Sequence, residues 1–426
     1  MLATPVREIE KATLANGVRV VTEVMPHLRS VSLGVWIGTG SRIERGPENG
    51  LSHFIEHMVF KGTKTRSAED IARTIDSIGG GLDAFTAKEL VGFNTKVLDE
   101  HLPISFDVLS DLVLNPTFTE ADIEKERGVV LEELKMEVDQ AEYLLHDIFI
   151  NGFWKNHGLG QPILGTRETV KKFNRPGILD YYKRVYTPRN LLITAAGSLD
   201  HDHIVRLVEE QFASLKDIGT PTPDGVPHPH APILLKKKDS LEQVHINLGV
   251  PAFELSHEMR FPLYILNTVL GGGMSSRLFQ NIRERQGLAY SVYTELHLYS
   301  DSGCLAIYAG TGPETARQVI DSIMVEIREI KQNLISIDEL RRAKDHMKGS
   351  LMLSMESSSS RMSNLARQEL YFDRFMTPDE MLERIEDVTR QEVQDLAQQF
   401  FKTEDVALAM LGRLNDMHIE RGDLAC

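Results

Sequence analysis

Apolar positions along this chain follow two spacings, which together predict a protein of strands and helices. Short stretches rich in β-branched and aromatic residues predict strands. They occur at 17–22, 31–38, 82–86 and 91–97, with a turn predicted at Pro26. Longer stretches with a helical period, bounded by cap residues or prolines, predict helices at 68–78, at 106–113 and from 120 into the 140s.

The stretch 50–60 carries the clearest amphipathic pattern. Four apolar residues at the spacing i, i+3, i+4 and i+7 share one side of a helix: Leu51, Phe54, Ile55 and Met58. The other side carries His53, Glu56 and His57. This pattern predicts a helix that packs its apolar side on a core and presents two imidazoles with a carboxylate beside them.

Two histidines at positions i and i+4 of a helix can bind one cation, because both side chains lean toward the helix N-terminus and converge. Glu56 adjoins the second histidine and can act as a base toward water at that cation. The motif is His-x-x-Glu-His, the inverted form of the commoner zinc-protease signature. Surface helices also carry His and Glu by chance, so the motif alone does not establish zinc chemistry. A zinc site needs a third protein ligand from elsewhere in the chain.

Composition and charge narrow the class of protein. The 426 residues are 42% hydrophobic and 26% charged, which is ordinary for a globular protein of two or more domains. The formal net charge of −15 argues against a nucleic-acid partner and against an anionic membrane surface. Cys304 and Cys426 are too few for a disulfide framework or a cysteine metal site.

The chain shows no targeting or membrane-spanning pattern. No apolar run reaches the ~18 residues of a membrane span. Residues 1–10 lack the basic and apolar regions of a signal peptide, and they are not the Arg-rich, acid-poor segment of a mitochondrial presequence. We therefore expect a cytoplasmic protein of bacterial type. The mitochondrial matrix would require that a presequence has been removed.

The two halves of the chain resemble each other across a segment rich in Pro and Gly. Two stretches repeat at a constant offset of 215 positions: 197–204 with 412–419, and 191–196 with 406–411. A match without gaps at half the chain length indicates duplication. We predict an α+β fold of two similar α/β domains, each a largely antiparallel sheet packed with helices. The predicted boundaries are 1–218 for the first domain, 219–232 for the linker and 233–426 for the second domain.

Glutamates of the long predicted helix are candidates for the third ligand. Glu126 and Glu133 lie seven residues apart, which is two helical turns, and therefore share one face. Most acids of such a helix are solvated surface residues. Spacing alone therefore does not choose between the two, and it does not establish that either meets a metal.

At this point the chain resembles the M16 (pitrilysin) family of zinc peptidases, in the branch of mitochondrial processing peptidase and its bacterial homologues. Besides the His-x-x-Glu-His motif, the matching stretches are 56–63, 160–166 and 283–290. The resemblance implies one Zn²⁺ per chain, with the ligands His53, His57 and Glu133. It implies that Glu56 is the catalytic base and that Glu126 orients a ligating histidine.

The resemblance also assigns roles in the second half of the chain. Arg283 and Tyr290 resemble the family's substrate-holding pair, in which the arginine donates to a substrate carbonyl and the catalytic phenol hydrogen-bonds the oxyanion. Tyr290 lies in a β-like run, so the alternative is a core residue. The glycines 271–273 resemble the family's glycine-rich loop, although glycines also simply make turns.

Only the first half of the sequence carries a set of candidate metal ligands. When the halves are aligned, Ser350 stands opposite Glu133, and 263–267 stands opposite 53–57. We therefore expect a catalytic, metal-binding N-terminal domain and a C-terminal domain that handles substrate without a metal.

The resemblance further implies an assembly and a substrate. In larger relatives two such two-domain halves enclose a chamber, so this chain would supply half of a clamshell and form a homodimer, or a heterodimer with a related subunit. An extended or unfolded peptide would add as a strand to the edge at Ala84, Phe85 and Thr86. The family usually has Asn where Asp83 stands. The expected function is that of a zinc-dependent endopeptidase. The alternative is that the chain is a noncatalytic peptide-binding or scaffold subunit of the same family.

Overall fold

The strands and helices lie close to the stretches that predicted them. The computed structural model describes residues 9–222, 225–372, 374–415 and 417–426. The strands are β1 (Ile9–Thr13), β2 (Arg19–Val24), β3 (Ser30–Ile37), β4 (Gly81–Thr86), β5 (Val91–Leu98), β6 (Leu191–Gly197), β7 (Ile233–Lys237), β8 (Val244–Ala252), β9 (Ala289–Leu298), β10 (Gly303–Thr311) and β11 (Ala407–Gly412). The four strands predicted in the first half are confirmed as β2 to β5.

The helices account for most of the remaining described residues. They are α1 (Leu51–Val59), α2 (Ala68–Ser77), α3 (Leu102–Leu114), α4 (Glu120–Asp139), α5 (Ala141–Phe153), α6 (Arg167–Val170), α7 (Arg175–Val185), α8 (His201–Phe212), α9 (Arg260–Gly271), α10 (Ala316–Gln332), α11 (Ile337–Ser354), α12 (Ser358–Tyr371), α13 (Pro378–Asp387) and α14 (Arg390–Phe400). Within the described ranges, none of these helices has both the length and the apolar character that crossing a membrane requires.

The prediction of one helix from 120 into the 140s is wrong at a single residue. Gln140 has an extended backbone (φ −87°, ψ 102°), which separates α4 from α5. Helix α4 buries Ile123 and Val130 in a core of the first half, whereas α5 buries Leu145 and Phe149 against strands of the second half. The helix is therefore interrupted where the chain passes from one core to another.

The described residues form two compact units that exchange segments. The first unit comprises described residues of Met1–Leu134, Gln161–Asp224 and Leu353–Phe375, and the second those of Lys135–Gly160, Gly225–Met352 and Met376–Cys426. Each unit thus contains a segment from the other half of the chain. The predicted boundaries at 218 and 233 divide the chain into two contiguous halves and do not include this exchange of segments. They stay a prediction about where the duplicated halves of the sequence meet. Residues 223 and 224 of the predicted linker lie outside the described residues.

The first unit is built on a six-stranded sheet in the order β1-β2-β6-β3-β5-β4. All neighbouring strands are antiparallel except β2 and β6, which are parallel. One sheet face packs against a large core that includes Phe54 of α1 and Phe106 of α3. The other face is covered by α12, whose Met362 and Leu365 pack with Trp36 of β3. Helix α1 is therefore held against one face of this sheet.

The second unit repeats this arrangement with five strands in the order β7-β11-β8-β10-β9. The only parallel pair among these described strands is β7 and β11. Helices α9, α10 and α14 contribute Leu266, Ile320 and Leu396 to the core on one face. Helix α5 covers the other face with Phe149 and Phe153.

Five of the six strands in the first sheet correspond to the five strands of the second, which confirms the prediction of two similar units with largely antiparallel sheets. In order and direction, β2-β6-β3-β5-β4 matches β7-β11-β8-β10-β9. Strands β6 and β11 end in Gly197 (φ 139°) and Gly412 (φ 147°). A Cβ atom at Gly197 would lie 2.2 Å from the Ser30 carbonyl oxygen, and one at Gly412 would lie 2.6 Å from that of Gln243. The repeated sequence therefore preserves a backbone turn that glycine alone adopts without strain.

Candidate metal centre

Helix α1 is held in the first unit both by its apolar side and at its N-terminus. Its four predicted apolar residues are all buried, which confirms the amphipathic prediction: Leu51, Phe54, Ile55 and Met58. Gly50, at φ 97°, precedes the helix. The buried carboxylate of Glu44 accepts hydrogen bonds from the backbone N–H groups of Gly50 and Ser52, both at 2.7 Å. Glu44 thus satisfies donors that the first turn of a helix leaves unpaired.

Side chains from α1 and α4 converge on one point. His53, His57 and Glu133 each offer one ligand atom, and the three atoms lie within 4.8 Å of one another. The Oε2 atom of Glu133 is 3.7 Å from His53 Nε2 and 3.6 Å from His57 Nε2. This carboxylate oxygen is buried and has no hydrogen-bond partner among the described residues. A buried, unpaired carboxylate oxygen that faces two imidazole nitrogens is an arrangement that a cation would stabilise.

The separations and the donor types fit a zinc ion. Zinc binds imidazole nitrogen and carboxylate oxygen at about 2.0–2.2 Å in a tetrahedron, so neighbouring ligand atoms lie roughly 3.4 Å apart. The observed 3.6 and 3.7 Å exceed that spacing by an amount that a small side-chain rotation closes. Two imidazoles and one carboxylate also leave a fourth position open, as catalytic zinc sites do.

Glu126 contacts His57 through the ring nitrogen that does not face Glu133. Its Oε1 lies 2.8 Å from His57 Nδ1, and its Oε2 lies 2.7 Å from Lys61 Nζ. Because a carboxylate only accepts, Nδ1 of His57 donates this bond and Nε2 is left to face Glu133. Burial alone would lower the pKa of His57, but the Glu126 hydrogen bond and the Glu133 charge raise it above its ordinary value. Burial alone would raise the pKa of Glu126, but hydrogen bonds to His57 and Lys61 lower it.

His53 is the more deeply buried of the two histidines. Its side chain is 8% exposed, against 23% for His57. Burial, followed by the charge of His57, lowers the pKa of His53 to about 4. The imidazole is therefore neutral near pH 7, which is the protonation state that binds a metal ion.

Glu56 lies beside the three candidate ligands and is half-buried. The Thr86 hydroxyl donates to its Oε2 at 2.6 Å. Burial raises the pKa of Glu56; the Thr86 hydrogen bond and the charge of His57 oppose this shift, and the charges of Glu133 and Asp83 add to it. A carboxyl with a raised pKa is suited to taking and returning a proton near neutral pH.

Strand β4, the predicted substrate-binding segment, is the edge strand next to Glu56. In the described part of the chain its ladder partner is β5 alone. Asp83 and Phe85 are exposed, whereas Ala84 and Thr86 are half-buried on the face that packs toward α1. The outer edge of β4 therefore offers unpaired backbone groups close to the candidate base.

Arg283 and Tyr290 lie together in the second unit. Arg283 belongs to the π-helical turn Phe279–Arg285, and its guanidinium lies 5.5 Å from the centroid of the Tyr290 ring. Tyr290 is 75% exposed, so the alternative that it is a core residue is wrong. Both side chains line a cavity of about 320 Å³ together with Gly271, Gly272 and Gly273. The sequence motifs of the second half thus meet at one place, within a unit separate from that of the metal centre.

Two residues that act on the centre were not predicted from the sequence. Lys61 pairs with Glu126, and its position four residues after His57 could have indicated that approach. Glu44 caps α1 across an intervening loop, and no local pattern signals a cap at that distance. The hydrogen bond from Thr86 to Glu56 is also nonlocal, since Thr86 was predicted only as part of the substrate edge.

Comparisons with known protein families match both units. The model described as "Insulinase (Peptidase family M16)" matches residues 19–167, which include every residue of the metal centre. The model described as "Peptidase M16 inactive domain" matches residues 172–347, which include Arg283 and Tyr290.

Relatives and solved structures agree with this assignment. An uncharacterized zinc protease of Bacillus subtilis is 45% identical over 96% of this chain and 99% of its own length. One from Mycobacterium tuberculosis is 41% identical over 91% and 89%. A protease from Helicobacter pylori shares the fold, with a TM-score of 0.90 at 22% identity over 95% of this chain and 100% of that one. The chain therefore belongs to the M16 family of peptidases.

Proposed function

We propose that this protein is a zinc-dependent endopeptidase that hydrolyses extended or unfolded peptides. The observation that carries the proposal is the convergence of two imidazole nitrogens on the unpaired Oε2 of Glu133. A carboxylate with a raised pKa, that of Glu56, lies directly beside this point. The relatives' description as zinc proteases supports the same chemistry.

The three ligands would be His53, His57 and Glu133. Zinc, when bound, would supply a Lewis acid toward water and toward the peptide carbonyl. Glu126 would hold His57 in the orientation and tautomer that direct Nε2 to the site. His53 contributes a ring that burial, together with the charge of His57, keeps neutral at pH 7.

Glu56 would act as the general base and then as the general acid. It would take a proton from the water that attacks the peptide carbonyl and would pass that proton to the leaving amine. The Thr86 hydroxyl holds its carboxylate in place through a 2.6 Å hydrogen bond.

The substrate would bind as an added strand along β4. Backbone groups at Ala84, Phe85 and Thr86 would pair with the peptide, so affinity would depend little on side-chain identity. The unpaired edge of β4 supports this mode, because its inner edge alone is used by β5. Arg283 would donate to a peptide carbonyl and Tyr290 to the oxyanion, and in a dimer this pair would come from the partner subunit.

The decisive experiment replaces Glu56 by Gln, which keeps the shape of the side chain and removes the base. Cleavage of an unfolded basic peptide should fall by roughly 10²–10⁴-fold, since that is what general acid–base catalysis contributes. The zinc content of the purified chain should not change, because Glu56 is not a ligand.

The matched control is Glu69→Gln, an exposed glutamate on α2, which should leave both activity and zinc unchanged. An active, zinc-replete Glu56→Gln variant would refute the assignment of the base. A wild-type chain that binds zinc and peptide but cleaves nothing would instead favour the noncatalytic subunit.

A further inference from the structure

A second group of metal-ligating side chains belongs to the second unit and shares no residue with the centre described above. His146 is on α5, and Glu295 and His297 are on β9. One candidate ligand atom from each residue lies within 4.8 Å of the others. The cluster is not the repeat of the first site, because the positions that match α1 and α4 lie on α9 and α11.

The secondary structure explains why these three side chains meet. Glu295 and His297 are two residues apart on a strand, so they project from the same face. Helix α5 packs on that sheet through Phe149 and Phe153 and thereby brings His146 over the strand. The rings of His146 and His297 have centroids 4.9 Å apart at an angle of 55°. The two imidazole rings are therefore in contact with each other.

One candidate ligand atom of this group, on His297, is left without a hydrogen bond in the described part of the chain. His297 Nε2 is buried and has no hydrogen-bond partner among the described residues. It lies 3.6 Å from Glu295 Oε2, a distance close to that between neighbouring ligands of one tetrahedral ion. A buried imidazole nitrogen without a partner costs stability unless a ligand such as a metal ion satisfies it.

The electrostatic surroundings favour a cation. Burial, followed by the charge of His146, lowers the pKa of His297 to about 3, so this ring is neutral under ordinary conditions. Burial and the charge of Glu142 raise the pKa of Glu295. Glu142, His146 and Glu295 line one cavity of about 190 Å³. His297 is not among the residues that line this cavity, so a divalent cation held by all three ligands would lie at its border, where it would relieve the repulsion between the carboxylates.

We propose that His146, Glu295 and His297 bind a second divalent metal ion, of the class that prefers imidazole and carboxylate ligands, with Zn²⁺ as the probe of choice. The ion would join α5, which comes from the first half of the chain, to the edge strand β9 of the second half. It would therefore stabilise the packing of α5 on the sheet that this helix covers. This site is independent of the proposed peptidase reaction.

The experiment uses the full chain with the first centre removed by His53→Ala and His57→Ala. This variant is stripped with a chelator, dialysed against Zn²⁺, and analysed for bound zinc by mass spectrometry and for its melting temperature. We expect one zinc ion per chain and a melting temperature that rises on zinc addition. Adding His297→Ala should abolish both the bound zinc and the rise.

The matched control is His245→Ala, a half-buried histidine on strand β8, which β10 separates from β9; it bonds Tyr308 and belongs to no ligand set among the described residues. It should retain the zinc of the parent variant. Glu295→Gln replaces an exposed side chain conservatively and should weaken zinc binding by roughly 10-fold or more even if the histidine variant folds poorly. The proposal is overturned if the parent variant binds no zinc, or if it keeps its zinc after His297→Ala and Glu295→Gln.

Discussion

At the scale of single residues, two glutamates of helix α4 have different contacts at the candidate centre. Glu133 presents an unpaired oxygen to two imidazoles, whereas Glu126 is almost fully buried and pairs with His57 and Lys61. Sequence spacing left both as candidates for the ligand. The distances separate them, because Glu126 contacts Nδ1 of His57 and Glu133 faces Nε2.

Glu126→Gln should therefore weaken zinc binding without removing a ligand. The amide lacks the charge that keeps the proton on His57 Nδ1, and it cannot form an ion pair with Lys61. Loss of such an outer-shell partner typically costs 10–100-fold in metal affinity, so we expect a weakening of roughly that size. Competition against a fluorescent chelator measures it.

The control for this measurement is Glu120→Gln, an exposed acid at the start of the same helix. If both variants bind zinc as tightly as the wild type, Glu126 does not orient His57.

At the scale of elements, helix α1 is anchored by the buried carboxylate of Glu44 at its N-terminus. Burial raises the pKa of Glu44 from its ordinary 4.5 to about 7 and outweighs the hydrogen bonds from Ser52 and Gly50. The folded state thus binds this proton more tightly than the unfolded chain does. The stability that results is fully present below about pH 4.5 and is lost as the pH rises through about 7.

The free energy of unfolding of the wild type, relative to Glu44→Gln, should therefore decrease between about pH 5 and pH 8. The decrease should be on the order of 1–3 kcal/mol, because each unit of pKa shift corresponds to about 1.4 kcal/mol. Urea unfolding of both proteins across this pH range measures it. The difference in unfolding free energy between the wild type and Glu120→Gln should not change with pH in this range, because both proteins carry Glu44. If the difference in unfolding free energy between the wild type and Glu44→Gln were also independent of pH, the Glu44 carboxyl would have the same pKa in the folded and the unfolded states.

At the scale of the whole molecule, duplication has produced two units with one strand order and different chemistry. Helix α9 occupies the place of α1 in the repeat but carries Leu263–Asn267 where α1 carries the histidine motif. The second unit instead exposes Tyr290 beside Arg283. Because each chain carries both sets, a dimer in which the sets act across subunits would have two sites.

A subunit-mixing experiment tests this arrangement. Glu56→Gln and Tyr290→Phe should each inactivate the dimer of identical subunits. In a mixed dimer, one site receives both substitutions and the other receives neither, so activity should recover to about that of one site per dimer. Peptide cleavage after denaturation and joint refolding measures the recovery, and native mass spectrometry verifies that mixed dimers formed. Mixed dimers without activity would place Arg283 and Tyr290 in the same site as the metal of their own chain.

Much of the fold followed from local patterns. The strands β2 to β5 and the amphipathic helix α1 were predicted because their apolar periodicity reflects burial on one or both faces. The duplication was visible as a match without gaps at a constant offset, in which Gly197 and Gly412 each occupy a position where a side chain would meet a carbonyl oxygen. The break at Gln140 was missed, since nothing in the local sequence indicates that the apolar residues on its two sides belong to different cores.

The sequence by itself determined the helix that presents His53, Glu56 and His57, because two turns of one helix fix their relative positions. It also determined that the chain is a duplicated α/β protein, because the repeat is contiguous. Only the tertiary structure decided that Glu133 faces both histidines whereas Glu126 contacts His57 alone. It also decided that Thr86 holds Glu56, and that α5 and α12 are exchanged. These depend on contacts between residues far apart in the chain, where burial and charge choose among partners that local spacing leaves equivalent.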